Sequence, residues 1–352
     1  MIRVLIVDDS AVLRQTTKLI LESDPSLQVI GEASNGADAV AMAGRLRPDV
    51  ITMDVRMPKM DGMKAIEQIM AENPVPIIVV TSTDLDREMG LSAQVTKLGA
   101  VSILQRPTGV AVPEFKPFTN KLIEQVKLMS TVKVVHRVRT VRSVSSETMP
   151  RMPMPLIKSG AKTEIVAIGS STGGPAALYK ILAAIPADFP VPIVIVQHIS
   201  FGFVQGLAEW LGGACPLKVQ VAQAGEKVLV GHVYLAPDGK HMQVDRLNRI
   251  ALIASDPIGG HRPSVNALFQ SVAVSYGPAA IAAILTGMGA DGAIGMKALG
   301  EAGASTIAQD EASCIVFGMP KEAIAMGGVQ HIVPLDRIAQ TLQSLIAVQV
   351  NA

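Results

Sequence analysis

The sequence predicts an α/β protein with two doubly wound parallel-sheet domains joined by a linker. Short apolar runs of strand length alternate with longer stretches in which apolar residues recur at three- and four-residue steps, and this alternation is typical of parallel strands covered by helices. With 352 residues the chain is long enough for two domains, each with its own core. A segment of different composition separates the two halves, so we expect the domain boundary there.

The first domain, residues 1–130, is predicted to contain five strands and five helices. Its apolar runs occupy residues 3–7, 29–33, 50–53, 77–80 and 101–104. Between them, segments such as 11–21 and 37–45 carry the helical period. We therefore expect one compact, flavodoxin-like sheet with helices on both faces.

Residues 131–162 are predicted to form the interdomain linker. Serines and prolines accompany a basic run that contains His136, Arg137, Arg139 and Arg142, and this composition is typical of solvated linkers. Because apolar and basic residues roughly alternate over 132–141, a basic strip for an acidic partner is the alternative. No Phe, Trp or Tyr interleaves with the basic residues, so stacking on nucleic-acid bases is not indicated.

The second domain, residues 163–348, is predicted to be a larger, Rossmann-like α/β domain. Its strands are expected at residues 164–168, 192–197, 219–222, 233–236, 250–254, 280–285 and 305–308. Helical patterns follow four positions, namely Gly174, Phe203, Ser264 and Gly292. No repeat of solenoid period is present.

Composition excludes several classes of protein. The formal net charge is +1, whereas domains that bind nucleic acid usually carry a strong basic excess, so we expect no nucleic-acid partner. Two cysteines, Cys215 and Cys314, are too few for a disulfide framework, which favours a reducing compartment. No cleavable signal segment opens the sequence, and no apolar run approaches the roughly 20 residues that span a bilayer. We expect a soluble cytoplasmic protein with no direct membrane insertion.

Three acids follow predicted strands of the first domain. Asp8 and Asp9 follow the first strand, Asp54 follows the third, Thr81 follows the fourth, and Arg106 comes after the fifth. The carboxyl ends of parallel strands form the ligand crevice of an open sheet, and converging carboxylates suit Mg²⁺. A metal beside a carboxylate also favours phosphoryl transfer onto it. The alternative is that these acids only cap helices.

This arrangement resembles the receiver domain of two-component response regulators, and the resemblance rests on the acid pair, Thr81, the Arg106-Pro107 step and the run MDVRMP at 53–58 with DG at 61–62. It implies that Asp54 accepts phosphate from a histidine kinase, that Asp8, Asp9 and Asp54 hold Mg²⁺, and that Thr81 is the switch hydroxyl. The family normally has lysine where this chain has Arg106, and guanidinium is planar and bulkier than ammonium. We expect phosphorylation to survive, with altered phosphate lifetime or switching.

A small-residue turn, GSSTGGP at 169–175, joins the first strand of the second domain to a helix. Such a turn presents side chains at the positive end of a helix, so Ser170 or Ser171 is a candidate nucleophile with an oxyanion stabilised nearby. A phosphate cradle is the alternative. The turn lacks the lysine of a P-loop and has no glycine at position 171, which counts against a nucleotide.

His198 follows a strand and therefore lies at the same edge of the predicted sheet, where a base for the nucleophile is needed. The other five histidines are less well placed, namely His136, His232, His241, His261 and His331. Of these, His261 begins a helix, a position from which it could line the cleft.

Asp291 lies in the run LTGMGADG at 285–292, which supports two interpretations. As an acid beside a histidine it completes a nucleophile–base–acid set. However, Gly287, Gly289 and Gly292 also match the dinucleotide-binding pattern, and Asp310 follows the next strand at about the expected distance.

The second domain resembles the catalytic domain of chemotaxis protein-glutamate methylesterases. The resemblance rests on IGSSTGG at 168–174, QH at 197–198, AP at 236–237, HRPS at 261–264, LTGMGADG at 285–292 and AQDEASC at 308–314, with a receiver in front. It implies that Ser171 is the nucleophile, His198 the base and Asp291 the orienting acid, with Thr172 and the Met288 amide supporting the site.

The same resemblance implies a substrate, a second activity and a mode of control. The substrates are methyl-accepting chemotaxis receptors, on which glutamate methyl esters are hydrolysed and glutamines deamidated, with no cofactor for the esterase chemistry. The unphosphorylated receiver is expected to pack over the catalytic cleft. A nucleotide-dependent α/β enzyme is the runner-up. A DNA-binding response regulator is disfavoured, because the second half shows neither a short helix-turn-helix nor a basic excess.

Overall fold

The computed structural model describes residues 1–82, 102–107, 109, 112–131 and 162–350. The predicted linker, including His136, therefore lies almost wholly outside the described residues. Within the described residues, no helix is both long and apolar enough to cross a bilayer.

The first domain is a five-stranded parallel sheet in the order β2-β1-β3-β4-β5. The strands are β1 (Ile2–Val7), β2 (Leu27–Ala33), β3 (Val50–Met53), β4 (Ile77–Ser82) and β5 (Ser102–Arg106). The helices in the described part are α1 (Ala11–Glu22), α2 (Gly36–Leu46), α3 (Gly62–Glu72) and α4 (Phe115–Met129). All five predicted strands are thus confirmed, and apolar side chains pack on both faces of the sheet.

Side chains at strand ends set where the helices of this domain begin. Ser10, Asn35 and Asp61 each accept a hydrogen bond from a backbone amide in the first turn of α1, α2 and α3. Gly62 is required for a different reason, because a Cβ there would lie 2.1 Å from the carbonyl oxygen of Asp54. This close approach holds α3 directly beside the loop that carries Asp54.

The second domain has a seven-stranded parallel sheet in the order β14-β13-β12-β6-β7-β9-β8. Its strands are β6 (Ile165–Ser170), β7 (Ile193–Gln197), β8 (Lys218–Val221), β9 (His232–Leu235), β12 (Ala280–Ile284), β13 (Ser305–Gln309) and β14 (His331–Val333). A separate antiparallel pair is formed by β10 (His241–Val244) and β11 (Ile250–Ile253). The sequence predicted neither β10, which pairs only with β11 outside the main sheet, nor β14, which has three residues and lies at the edge of the main sheet.

Helices cover both faces of this sheet. They are α5 (Gly174–Ala183), α6 (Val204–Gly212), α7 (Val265–Tyr276), α8 (Ala293–Glu301), α9 (Met319–Ala325) and α10 (Leu335–Val350). One core cluster contains α5, α6 and α10, and the other contains α7, α8 and α9. The first four helices begin where the sequence predicted, whereas α9 and α10 were missed.

Strand order places the functional crevice of the second domain. The chain enters the sheet at β6, whose neighbours are β7 on one side and β12 on the other. Successive strands therefore extend in opposite directions from β6, and ligands of open α/β sheets bind at such a switch point, outside the carboxyl ends of the strands. Ser171, His198 and Asp291 follow β6, β7 and β12, so the topology brings all three to this point.

Candidate functional site

The two serines in the turn after β6 differ in burial and in hydrogen bonding. Ser170 is completely buried, and its hydroxyl donates a hydrogen bond of 2.6 Å to Oε1 of Gln197. Ser171 is only half-buried, and its hydroxyl has no partner within the described residues. The absence of a side chain at Gly174 lets the start of α5 lie close to Gln197, since a Cβ there would lie 2.0 Å from the same Gln197 oxygen. Burial and hydrogen bonding thus leave Ser171 as the accessible hydroxyl.

Gln197 joins this turn to the predicted base. Its Nε2 donates to the carbonyl oxygens of Ser171 and His198, each at 2.8 Å. In addition, the His198 amide donates to the Ser170 carbonyl at 2.9 Å. The sequence motif contained Gln197, but only the structure shows that one buried amide holds the ends of β6 and β7 together.

His198 is paired with Asp291. The distance from His198 Nε2 to Asp291 Oδ2 is 2.9 Å, and the carboxylate is almost fully buried. Asp291 also accepts from the amides of Val265 at 2.7 Å and Asn266 at 3.0 Å, and from the Ser264 hydroxyl at 2.8 Å. The carboxylate therefore sits at the N-terminus of α7, where amide donors stabilise negative charge.

These contacts determine the ionisation of the acid. Burial on its own raises the pKa of Asp291, but the hydrogen bond and charge of His198, with the amides of Asn266 and Val265, outweigh it, so the pKa lies below its ordinary value. A carboxylate acceptor assigns the proton of the neutral imidazole to Nε2. His198 Nδ1 is buried without a hydrogen-bond partner among the described residues, so its lone pair is available to take a proton.

One predicted contact is not made. The structure brings His198 and Asp291 together, but the Ser171 hydroxyl forms no hydrogen bond with the His198 ring in the described part of the chain. The backbone of Ser171 is fixed by its amide, which donates to the Thr286 carbonyl at 3.1 Å. Catalytic hydrogen bonds are often formed only in the complex with substrate, so the missing contact does not exclude Ser171 and His198 as a pair.

Ser264, which bonds Asp291, is itself held by His241, a contact that the sequence did not indicate. His241 is buried in β10; its Nδ1 accepts from the Ser264 amide at 3.2 Å, and its Nε2 lies 3.0 Å from the Asp256 carbonyl. The chain His241–Ser264–Asp291 fixes the start of α7 against the acid. The HRPS run was the available signal for Ser264, whereas His241 gave none. His232 packs against Tyr234, and His331 lies in β14 at the edge of the sheet.

The loop after β12 packs directly on the turn that carries Ser171. A Cβ at Gly287 would lie 2.8 Å from Ser171 Cβ. The Thr286 hydroxyl donates to the Thr172 carbonyl at 2.9 Å and accepts from the Val316 amide at 2.9 Å. The backbone of Thr172 is thus held against this loop. Met288 is half-exposed, and its amide makes no hydrogen bond within the described residues.

Local structure accounts for three of the four residues that suggested a dinucleotide. Gly287 is required by Ser171, and Gly292 has φ +94° at the start of α8. Asp310 caps a local turn, since its Oδ1 accepts from the Ser313 amide at 3.1 Å and also from the Ser313 hydroxyl. These residues have structural partners of their own, which disfavours the nucleotide interpretation.

Helix α4 of the first domain contacts the same loop. Gln125 Nε2 lies 3.7 Å from the Met288 sulfur, and Met288, Ile315 and Val316 pack in one cluster with apolar side chains of the first domain. A second contact joins the Ser200 hydroxyl to the Ile103 carbonyl of β5 at 3.0 Å. The first domain therefore covers the loop that contributes Met288.

The predicted acidic site is also assembled. Carboxylate oxygens of Asp8, Asp9 and Asp54 all lie within 4.8 Å of one another, and a set of three hard oxygen donors fits Mg²⁺. Burial, then the charge of Asp8, raises the pKa of Asp54 to about 6. Thr81 is buried near the end of β4. Arg106 is buried and its Nη1 lies 2.8 Å from Asp8 Oδ2.

Comparison with known proteins finds a matching family for each of the two domains. The sequence model of the family described as CheB methylesterase matches residues 166–342, and that of the response regulator receiver domain matches residues 4–112. A protein-glutamate methylesterase/protein-glutamine glutaminase of Nitrosospira multiformis is 44% identical over 347 residues, which cover 99% of this chain and 98% of the relative. A protein of the same description from Myxococcus xanthus is 44% identical over 97% of this chain and 96% of the relative.

Among solved structures, the crystal structure of the Thermotoga maritima CheB methylesterase catalytic domain is similar to the second half. It is 40% identical with a TM-score of 0.51, and the match covers 53% of this chain and 100% of that chain.

Proposed function

Since the chain belongs to the CheB methylesterase family, as a protein-glutamate methylesterase/glutaminase with an N-terminal receiver domain, we propose that it hydrolyses glutamate γ-methyl esters of methyl-accepting chemotaxis receptors through Ser171, His198 and Asp291. The observation that carries the proposal is the His198–Asp291 pair at the switch point of the sheet, beside the accessible Ser171. Thr172 and Met288 support these three residues, and the receiver regulates them.

The first half of the reaction forms an acyl-enzyme. Rotation of the Ser171 side chain brings its hydroxyl to His198 Nδ1, which takes the proton as the oxygen attacks the ester carbonyl. Asp291 stabilises the resulting imidazolium through Nε2. The carbonyl oxygen becomes an oxyanion, and the Met288 amide and the N-terminus of α5 stabilise it. The ester C–O bond then breaks, and His198 returns the proton to the departing methanol.

The second half restores the enzyme. His198 takes a proton from water as the hydroxide adds to the acyl carbonyl. The bond to Ser171 then breaks, and His198 returns the proton to the serine oxygen, which leaves free glutamate. With glutamine as substrate the same steps release ammonia in place of methanol. Every step uses side chains or backbone amides of the second domain, and none of the esterase chemistry requires a cofactor.

Control is assigned to the receiver. Asp8, Asp9 and Asp54 would hold Mg²⁺, which supplies positive charge that favours phosphoryl transfer to Asp54 from a chemotaxis histidine kinase. Thr81 and Arg106 respond to the new charge. In the unphosphorylated state α4 covers the loop that contains Met288, and phosphorylation weakens this contact by biasing a two-state interface.

The test is methanol release from methylated receptor by the full chain, with and without a small-molecule phosphodonor. We expect release in both conditions, faster with the phosphodonor, and at least about 10³-fold slower release from Ser171→Ala. Release that persists in Ser171→Ala but is lost in Ser170→Ala would contradict the assignment of the nucleophile.

A further inference from the structure

His261 lies face to face with His198. The ring centroids are 4.1 Å apart and the planes differ by 5°. One edge of the His198 ring bonds Asp291 through Nε2, and Nδ1 is the atom left for the nucleophile. His261 covers a face of the ring, so the two contacts restrict different motions: Asp291 resists translation of Nε2, and the stack resists tilting of the plane.

The backbone that presents His261 is itself constrained. The Ile258 amide donates to the His261 carbonyl and the His261 amide donates to the Ile258 carbonyl, both at 3.1 Å. Gly259 and Gly260 between them have φ +59° and +85°, as the two central residues of a tight type I′ hairpin turn require. Three residues later, Ser264 bonds Asp291. One short segment therefore fixes the acid directly and the base through its ring face.

We propose that His261 is a positioning residue that acts through His198. Its ring holds the imidazole of His198 in the plane in which Nε2 meets Asp291 and Nδ1 is left for Ser171, and its uncharged face stabilises the imidazolium that forms when His198 takes the proton. This inference rests on the proposed role of His198 as the base.

Charge around His261 supports the neutral state. Burial lowers the pKa of His261 most, and the charge of His198 lowers it further; Asp291 raises it, and Lys121 of α4 lowers it. These three side chains are the charged or titratable groups that face His261 in the described residues. Burial also lowers the pKa of Lys121. The residue as a whole nevertheless remains exposed. A neutral aromatic face attracts a cation, whereas a protonated one would repel the imidazolium.

Two substitutions of His261 in the full chain distinguish the effect of a planar ring from the effect of an imidazole that can take a proton. His261→Phe keeps a planar ring without a proton to gain, and His261→Ala removes the ring. We expect the phenylalanine variant to retain kcat within about 2-fold, and the alanine variant to lose about 2- to 12-fold in kcat, the rate equivalent of one aromatic pair, with KM unchanged. His232→Ala is the matched control, because it removes another stacked histidine, that on Tyr234, and should leave kcat unchanged.

Nitrogen-15 spectra of histidine-labelled protein provide a readout that needs no turnover. The His198 signals, assigned through His198→Gln, should show an Nε2–H tautomer in the wild type and in His261→Phe, and a tautomeric mixture in His261→Ala. If the wild type failed to release methanol, the proposed function would fail while this comparison still reported on the stack.

Two results would overturn the inference. One is an alanine variant that matches the wild type in both kcat and tautomer. The other is a phenylalanine variant as slow as the alanine variant with the His198 tautomer intact, because the imidazole nitrogen of His261 would then act on substrate directly.

Discussion

Arg106 and Asp8 form a buried ion pair at the predicted phosphorylation site. The guanidinium Nη1 lies 2.8 Å from Asp8 Oδ2, and the two side chains are 8% and 5% exposed. The other carboxylate oxygen of Asp8 accepts from the Ser10 amide at 2.9 Å. Arg106 thus places a positive charge directly on one predicted Mg²⁺ ligand, and this charge opposes the binding of a cation at Asp8.

Substitution of Arg106 should change metal affinity and phosphate lifetime separately. We expect Arg106→Gln to bind Mg²⁺ about tenfold more tightly by calorimetry, because a charge that competes for Asp8 is removed. Arg106→Lys should take up phosphate as the wild type does but lose it at a different rate, since an ammonium presents one point charge where the guanidinium presents a planar fork. Absence of labelling on Asp54, or identical decay of wild type and Arg106→Lys, would contradict this.

Asp54 makes the receiver's stability depend on pH. Its folded pKa of about 6 lies above the ordinary value of 3.8, so the folded state holds the proton more tightly than the unfolded state, and the free energy of unfolding falls as pH rises between those values. In metal-free buffer, Asp54→Asn should raise the free energy of unfolding by about 1–2 kcal/mol at pH 8, less than the unscreened equivalent of two pKa units.

At pH 4 the same substitution should have almost no effect, because Asp54 is then protonated in the folded protein and its ionisation costs nothing. Urea denaturation monitored by circular dichroism at both pH values measures the difference. An equal gain at pH 4 and pH 8 would contradict the pKa assigned to Asp54.

The sequence predicted two doubly wound parallel sheets. It also predicted that the site residues of each domain lie close together, because the carboxyl ends of parallel strands share one edge of the sheet. It could not distinguish Ser170 from Ser171 by local chemistry, since the burial of Ser170 depends on a side chain 27 residues away, Gln197. His241 was missed for the same reason, as its contact with Ser264 spans 23 residues. The Arg106–Asp8 pair spans 98 residues and joins two strand ends. Only the folded chain therefore shows that Arg106, which replaces the usual lysine, is paired with Asp8.

The two adjacent serines should respond differently to alanine. Ser171→Ala should lower methanol release at least about 10³-fold with no change in melting temperature, as expected for loss of a triad nucleophile. Ser170→Ala should stay active but unfold more easily, by about 1–3 kcal/mol, because the buried Oε1 of Gln197 loses its donor. Thermal melts with methanol assays on both variants check this. A destabilised Ser171→Ala with intact turnover would reverse the roles.

Removal of the receiver should raise basal esterase activity. The second domain contains two core clusters built entirely from its own helices and strands, so a fragment lacking residues 1–160 has the apolar contacts needed to fold. What it loses is the cover over Met288 and Val316, which pack against the first domain. Methanol release by the fragment, without phosphodonor, should exceed that of the full chain and no longer respond to phosphodonor.

A point variant at the same contact tests whether the gain comes from the interface. Gln125→Ala removes the side chain whose Nε2 lies 3.7 Å from the Met288 sulfur and leaves every residue of the second domain unchanged. It should raise basal activity less than the deletion does, because the apolar contacts of α4 remain. Thr119→Ala is the matched control and should have no effect, because Thr119 lies on the same helix and, among the described residues, its hydroxyl bonds only the Phe115 carbonyl. Unchanged or lower activity in a well-folded deletion fragment would mean that the receiver does not inhibit the catalytic domain.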